Sequence, residues 1–426
     1  MFKIIDAYEN EKYSIISILG LKIKNRKEWF PKWYNKYYNL FKTIDKFIPK
    51  KKNKIIFCSW PDFSDNAKEF YEFLNKYHNN EYELIWTYRE NSNYQYLKNR
   101  LNCKLVYHFS LECLFHTFTS KYIVVTHDDM FCYDYKEHEI LCLFHGMPVK
   151  TVGLAEKNIT GSRLKNYSDL GEYANLFATS DIFKLSLAYC FRAYPKNIHI
   201  TGQARTDCIY YPSINAKNYI SKIKENFEKI IIYTPTYKER KIGTKREIEK
   251  VFNNIFYLDD YDEQNFNNYL NENNILFLMK PHPQDEFFYR NYLKKYNLPE
   301  NIKIIFDKDL KDNDFYFYEI FSDCSLMIGD YSSIAIDWLI LKKPAIYLST
   351  VVNDYMQSRG MCLEDNYQML LPGPKVNNYK DLMININKYI KNPHMFNSEY
   401  DRDLKLLHRY FDGDSSKRIY EIMKKL

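Results

Sequence analysis

Four short stretches of this chain end an apolar run on residues that handle phosphate. Leu326–Leu341 reads LMIGDYSSIAIDWLIL: an apolar strand stops at Gly329, a polar turn follows, and an apolar helix starts near Ser333. A turn at the carboxyl end of a parallel strand opens onto the ligand crevice of an α/β sheet. Unpaired N–H groups in the first helical turn favour an anion there, and Ser332 and Ser333 add hydroxyl donors. The alternative for one of these serines is a plain N-cap. FLMKPHP at Phe277–Pro283 delivers Lys280 and His282 to a strand end in the same way. IIYTPTYKER at Ile231–Arg240 delivers Thr234, Thr236, Lys238 and Arg240, and FHGMPVK at Phe144–Lys150 delivers His145 and Lys150. A lone histidine after a strand is more often structural, but here two such histidines are each followed by proline within three residues. Hydroxyls, cations and helix N-termini stabilise the charge that grows on a diphosphate leaving group, and histidine suits the base that an attacking hydroxyl needs. No acidic cluster points to a metal, since Asp128-Asp129 lacks a matching partner. The expectation is no obligatory metal or other cofactor, with room for a loosely held Mg2+.

The elements that position these residues alternate between short apolar runs and helical patterns from Lys54 onward, the texture of a mostly parallel α/β sheet. Strands are predicted at Ile55–Ser59, Tyr82–Thr87, Lys104–Tyr107, Tyr122–Thr126, Ile140–Phe144, Leu176–Thr179 and Ile198–Ile200, with helices at Asn66–Tyr77 and Ile182–Phe191. A polar helical stretch, Tyr211–Lys229, precedes a second series. Its strands fall at Ile230–Thr234, Ile275–Lys280, Ile302–Phe306, Leu326–Ile328 and Pro344–Leu348. Its helices fall at Asp260–Asn271, Phe287–Lys295, Tyr316–Ser322, Ser333–Leu341 and Lys380–Lys391. Two Rossmann-like series facing a cleft describe the GT-B class of α/β fold. The domains expected are 1–53, an N-terminal segment; 54–215, an acceptor domain; and 216–426, a donor domain. Asp401–Leu426 reads as one or two helices that cross back.

The 426 residues and 46% hydrophobic content suffice for two cores. The net charge of +7 is local: Lys22–Lys54 holds twelve Lys and Arg against Glu28 and Asp45, which leaves the remainder slightly acidic. That argues against a fold-wide nucleic-acid groove. Nine cysteines stand without C-x-x-C or zinc spacing, as for reduced thiols. No window has the ~18 apolar residues of a spanning helix, and residues 1–10 do not read as a signal peptide. Tyr13–Ile23 reads as a hairpin or a small helix. From Glu28 to Ile48 aromatics recur at three and four residues between lysines, and Pro49 with Lys50, Lys51 and Lys52 ends the element. Trp29, Phe30, Trp33, Tyr37 and Phe41 beside that charge form an in-plane interfacial helix for an anionic membrane, each lysine contributing about 1 kcal/mol. The alternatives are an amphipathic helix packed on the protein, or a single-stranded nucleic-acid contact.

Together the motifs resemble the CDP-glycerol glycerophosphotransferase family of teichoic acid and capsule polymerases. The resemblance runs from Ile55 to the C-terminus through SWPDFSDNAKEFYEFL (Ser59–Leu74), HGMPVKTVG (His145–Gly153), TGQARTD (Thr201–Asp207), YTPTYKER, KPHP, GDYSSIAIDWLILKKPAIYL (Gly329–Leu348), LPGP (Leu371–Pro374) and FDGDSSKRI (Phe411–Ile419). Each motif is weakly specific alone; their shared order is not. The resemblance implies a GT-B fold and an enzyme that takes CDP-glycerol or another CDP-polyol and releases CMP. It also implies a polymer or lipid-linked acceptor at the cytoplasmic face of the membrane, and no nucleic acid. It places the two essential histidines on His145, as base on the acceptor side, and His282, at the donor diphosphate. Donor binding falls to Thr236, Lys238, Arg240, Lys280, Ser332, Ser333, Asp337 and Arg418, and the acceptor side to Asp65, Asn66, Gly146, Lys150 and Arg205. Departures at Met147, Gln203-Ala204 and Lys238 bear on the substrate. A nucleotide-sugar glycosyltransferase on the same fold and a non-catalytic membrane-binding protein are the competing readings.

Overall fold

The computed structural model describes residues 5–9, 13–18, 21–26, 36–127, 133–156, 159, 161–236, 254–295, 297–349, 360–363, 370–394 and 398–426. Two compact units divide the chain: Met1–Leu143 with Tyr173–Asn175, and Phe144–Glu172 with Leu176–Leu426.

The first unit begins with β1 (Ile5–Glu9), β2 (Tyr13–Ile18) and β3 (Leu21–Arg26), a three-stranded antiparallel sheet, so the hairpin alternative holds for residues 13–23. Helix α1 (Tyr38–Asp45) lies within the basic amphipathic segment. Then come β4 (Lys51–Cys58), α2 (Asp65–Tyr77), β5 (Glu83–Tyr88), α3 (Asn91–Arg100), β6 (Lys104–Tyr107), α4 (Leu111–Thr119), β7 (Ser120–Val125) and β8 (Glu139–Cys142). The parallel order is β8-β7-β4-β5-β6. Central strand β4 is buried from Lys54 onward, as expected where helices cover both faces. Phe57 stacks on Trp86 at 5.4 Å and meets Tyr71 of α2 edge-on at 5.6 Å, so strand and helix share one aromatic core.

The chain continues through α5 (Gly161–Tyr173), β9 (Asn175–Ala178), α6 (Asp181–Phe191) and β10 (Ile198–Ile200), with β10 parallel to β9. The second sheet follows: α7 (Ile214–Lys224), β11 (Lys229–Tyr233), α8 (Glu263–Glu272), β12 (Ile275–Met279), α9 (Glu286–Lys295), β13 (Ile302–Ile304), α10 (Asp307–Asp312), β14 (Leu326–Gly329), α11 (Ser333–Trp338), β15 (Ala345–Leu348), β16 (Lys375–Val376) and α12 (Tyr379–Lys391). Its order is β13-β12-β11-β14-β15-β16, every pair parallel. Ile231, Phe277, Leu326 and Ile346 pack with Phe266 of α8 and Leu382 of α12 into one core. The strand order places the ends of β11, β12 and β14 side by side, and those ends carry the phosphate-type motifs.

The tail forms α13 (Ser398–Leu407) and α14 (Ser415–Met423). Asp207 accepts the backbone N–H groups of Ser415 at 2.9 Å and Ser416 at 2.7 Å, a carboxylate seated on the α14 N-terminus. Thr179 donates to the Leu407 carbonyl at 2.7 Å, so the tail is fastened to residues that follow β9 and β10.

Candidate active site

The centre of the site is a buried ion pair between residues 132 positions apart. Arg205 lies in the 3-10 turn Ala204–Ile209 after β10, and Asp337 on α11. The arginine is 4% exposed and the aspartate 0%. Arg205 Nε and NH2 both donate to Asp337 Oδ2, at 2.8 and 2.5 Å, and the Tyr318 hydroxyl donates to the same oxygen at 2.9 Å. Tyr318 also lies under the guanidinium, 5.3 Å from ring centroid to carbon. Two further donations of Arg205 reach neighbouring turns. NH1 holds the backbone carbonyl of His145 at 2.7 Å, and NH2 reaches the Ser333 hydroxyl at 3.3 Å. One buried cation therefore fixes both the first histidine turn and the serine turn.

Gly146 shows how close those turns come. Its φ is +124°, and a Cβ there would stand 2.1 Å from Ser333 Oγ and 2.5 Å from both Ser333 Cβ and Arg205 NH2. Only glycine permits that backbone angle and that approach. Just before it, Phe144 takes a positive φ of 55° and its ring lies 4.2 Å from that of His145.

At the serine turn, Ser332 is the N-cap residue of α11, yet its side chain makes no capping hydrogen bond. Asp330 ties this turn to the end of β11: its Oδ2 accepts from Thr236 N at 2.8 Å and from Thr236 Oγ1 at 2.7 Å. Both donors of Thr236 are thus committed to a carboxylate, and Thr236 serves first as an anchor for its loop. Thr234, 5% exposed, has a hydroxyl with no hydrogen-bond partner among the described residues. It lies beside Gly329, whose Cβ would stand 3.8 Å away.

At the end of β12, Lys280 Nζ pairs with Asp307 at 2.7 Å and Glu286 at 3.5 Å, so its charge is balanced within the second unit. Burial pushes the His282 imidazole down to about 4, with Lys280 and Lys150 adding to the effect and Asp307 opposing it. At neutral pH His282 is therefore an uncharged ring. Lys150 is held by a backbone bridge to Met361, flanked by Cys362 N to Val149 O at 2.8 Å and Thr151 N to Gly360 O at 3.1 Å.

The structure thus gathers His145, Gly146, Arg205, Ser333 and Asp337 into one network, with Ser332 on the serine turn and Thr236 tied to that turn through Asp330; Lys280 and His282 follow the neighbouring strand β12, and Lys150 sits on the bridge to Met361. Other expected site residues are held by partners of their own. Arg418 on α14 stacks over Tyr410 at 3.8 Å and pairs with Asp412, Nη1 to Oδ1 at 3.0 Å. It lines an open pocket of about 360 Å³ with Thr201, Tyr410, Lys417 and Glu421. Asn66 is fully buried and donates to the Leu143 carbonyl at 3.2 Å, while Asp65 Oδ1 accepts from Asn66 N at 2.7 Å. In the basic segment, Tyr37 is exposed and Phe41 rests 6.5 Å from Phe118. Lys50 donates to the fully buried Asp45 at 2.6 Å, Lys51 stands 3.4 Å from Glu83, and Lys52 is exposed. Trp29, Phe30, Trp33, Lys238 and Arg240 lie outside the described residues. Sequence reasoning did not assign Asp330, although it sits within the GDYSS motif, nor Tyr318, for which the sequence offers no signal.

An α/β fold with two parallel sheets, whose strand ends carry serine, threonine, histidine and lysine, defines a GT-B-like transferase. The TagF wall teichoic acid polymerase superposes with a TM-score of 0.68 at 19% identity, covering 92% of this chain and 94% of that one. The chain belongs to the CDP-glycerol:poly(glycerophosphate) glycerophosphotransferase family, whose model matches residues 40–425. The teichoic acid glycerol-phosphate transferase of Staphylococcus aureus (strain NCTC 8325 / PS 47) is 27% identical over 406 residues, 88% of this chain and 93% of that protein. The teichoic acid poly(glycerol phosphate) polymerase of Bacillus spizizenii (strain ATCC 23059 / NRRL B-14472 / W23) is 25% identical, covering 88% of this chain and 92% of that protein. Of the S. aureus teichoic acid ribitol-phosphate polymerase TarL, 25% identical, the matched region spans only 47%. Among the described residues no helix is long and apolar enough to cross a membrane.

Proposed function

We propose that this chain transfers glycerol phosphate, or a related polyol phosphate, from a CDP-activated donor to a hydroxyl of a membrane-associated surface polymer, releasing CMP. The observation that carries the reading is the Arg205 node, which holds the His145 turn against Ser333. A base is thereby positioned beside hydroxyl and N–H donors suited to a phosphate. In the reaction the acceptor oxygen attacks the β-phosphorus and the P–O bond to the bridging oxygen breaks. The acceptor proton passes to His145, CMP departs with the electron pair, and the phosphorus inverts. Ser332 and Ser333 bind phosphate oxygens, and neutral His282 offers them an N–H. Lys280, Lys150, and Lys238 with Arg240 supply positive charge along the donor, while Thr236 and Asp337 keep the turns in register. Arg418 takes the cytidine-bearing side of the donor, and Asp65 with Asn66 supports the acceptor side.

The aromatic, basic segment around α1 keeps the enzyme at the cytoplasmic face of an anionic membrane, where the growing polymer is anchored. This reading assigns no obligatory cofactor; parallel assays with added Mg2+ and with chelator test that. The donor is tested by incubating purified protein with labelled CDP-glycerol, CDP-ribitol and a panel of UDP-sugars. CMP release from a CDP-polyol is expected. UDP release without CMP would replace the reading with a nucleotide-sugar glycosyltransferase. Removal of residues 1–52 is expected to release the protein from liposomes containing anionic lipid, and unchanged binding would make the segment a packing element.

A further inference from the structure

The carboxyl edge of the first unit's sheet holds a second group of chemically active side chains that the transfer site does not use. Cys58 is the last residue of β4, Arg89 follows β5, His108 follows β6, and His127 stands two residues past β7. With β6, β5, β4 and β7 adjacent in that order, these four residues come together at one edge. Arg89 NH2 reaches Cys58 Sγ at 3.6 Å, and the same sulfur lies 3.7 Å from His108 Nδ1. The His127 ring is oriented by Thr126, whose Oγ1 lies 2.9 Å from Nδ1, and burial first, with the Arg89 charge second, pushes that imidazole down to about 4. The backbone under Arg89 is pinned. Asp62 accepts Arg89 N at 3.0 Å, Glu90 N at 3.0 Å and Asn93 Nδ2 at 3.2 Å. The result is a guanidinium on a pinned backbone, with imidazoles at neighbouring strand ends, at the edge where open α/β sheets bind ligands.

We propose that Arg89, with His127 on the same sheet edge, binds a backbone phosphodiester of the acceptor polymer. A guanidinium is the cation best matched to phosphate oxygens, because its planar fork can donate two parallel hydrogen bonds. A neutral imidazole adds an N–H donor without further charge, which suits a monoanionic diester. The inference rests on the proposed transfer of polyol phosphate, since an acceptor built from such units carries one diester per unit. Arg89 is a binding residue for the acceptor and takes no part in the bond exchange.

The test compares a glycerol-phosphate oligomer with a phosphate-free acceptor that carries the same terminal glycerol hydroxyls. In Arg89→Met and His127→Ala, the ratio of kcat/KM for the oligomer to that for the neutral acceptor is expected to fall about tenfold or more, the loss of a charge-assisted hydrogen bond. The change appears in acceptor KM and not in the KM for CDP-glycerol. Arg89→Lys restores part of the ratio and covers the case in which Arg89→Met does not fold. Oligomer binding in the absence of donor, read by calorimetry, weakens in parallel. An unchanged ratio in both variants, or an equal rise in donor KM, overturns the proposal. If the wild-type protein turns over no CDP-polyol, the donor reading fails, and calorimetry with the oligomer still decides the acceptor site.

Discussion

Replacing Gly146 with alanine tests whether the His145 turn must lie against the serine turn. The new Cβ would stand 2.5 Å from Ser333 Cβ and 2.1 Å from Ser333 Oγ. Carbon atoms pack at about 3.5–4.0 Å, so turning the serine hydroxyl away is not enough, and the two backbones must part by about 1 Å. The φ of +124° adds strain for any residue with a side chain, of order 1–3 kcal/mol. At roughly 2–4 °C per kcal/mol for a domain of this size, Tm falls by several degrees and the fold survives. The rate suffers more. A reacting group displaced by 1 Å can lose about a hundredfold in rate, so CMP release from CDP-glycerol should fall by that order at saturating donor, with a much smaller change in donor KM. A Gly146→Ala protein that keeps wild-type kcat with a lowered Tm would refute the argument, because the turn would then have moved without consequence for the chemistry.

Three further outcomes follow from the same geometry. Asp337→Ala leaves the Arg205 charge buried without its partner, and is expected to cost about 3–5 kcal/mol in urea unfolding. His282 has a folded-state value of about 4 against an ordinary 6.5; its neutral form is favoured on folding, so stability is fully present above 6.5 and declines as pH falls towards 4. Urea midpoints across that window should decline less in His282→Gln than in wild type. Burial would raise the Asp45 carboxyl, but His138 at 2.9 Å and Lys50 at 2.6 Å hold it below its ordinary value. That stability is present above about pH 3.8 and lost as pH drops through the folded value. Asp45→Asn should therefore be less stable than wild type at pH 7, with the gap closing in acid.

Much of the sheet was legible because each strand is an apolar run of β-branched and aromatic residues closed by a polar turn. Lys104–Tyr107 and Ile198–Ile200 have the expected bounds, and Ile275–Lys280 differs by one residue. Where the reading ran long, local hydrogen bonds intervened. Ile302–Phe306 ends at Ile304, because the Phe306 N–H is taken by Asp309 at 2.8 Å as the N-cap of α10. Ser333–Leu341 begins as an α-helix and tightens to a 3-10 turn at Leu339–Leu341, closed by left-handed Lys342. Tyr316–Ser322 is 3-10 throughout its core at Phe317–Asp323. Helix α4 was missed because LECLFHTFT is apolar on most sides and rich in threonine; Ser110, accepting from Cys113 N at 3.0 Å, is its one local sign. In the site, residue types after strands located the serine and histidine turns. The pairing of Arg205 with Asp337 depends on packing between distant segments and has no local signature. The same holds for the part that Thr236 plays: its hydroxyl suggested a phosphate ligand, and only the position of Asp330 shows that both its donors are already engaged.

Attack at phosphorus, with departure of CMP, is the claim on which the account stands. It is tested most directly with CDP-glycerol labelled both in the glycerol and at the β-phosphorus. The account predicts that both labels enter the polymer together, in equal amounts, with unlabelled CMP as the leaving group. Transfer of the glycerol label alone, with the labelled phosphorus released as CDP, would contradict it.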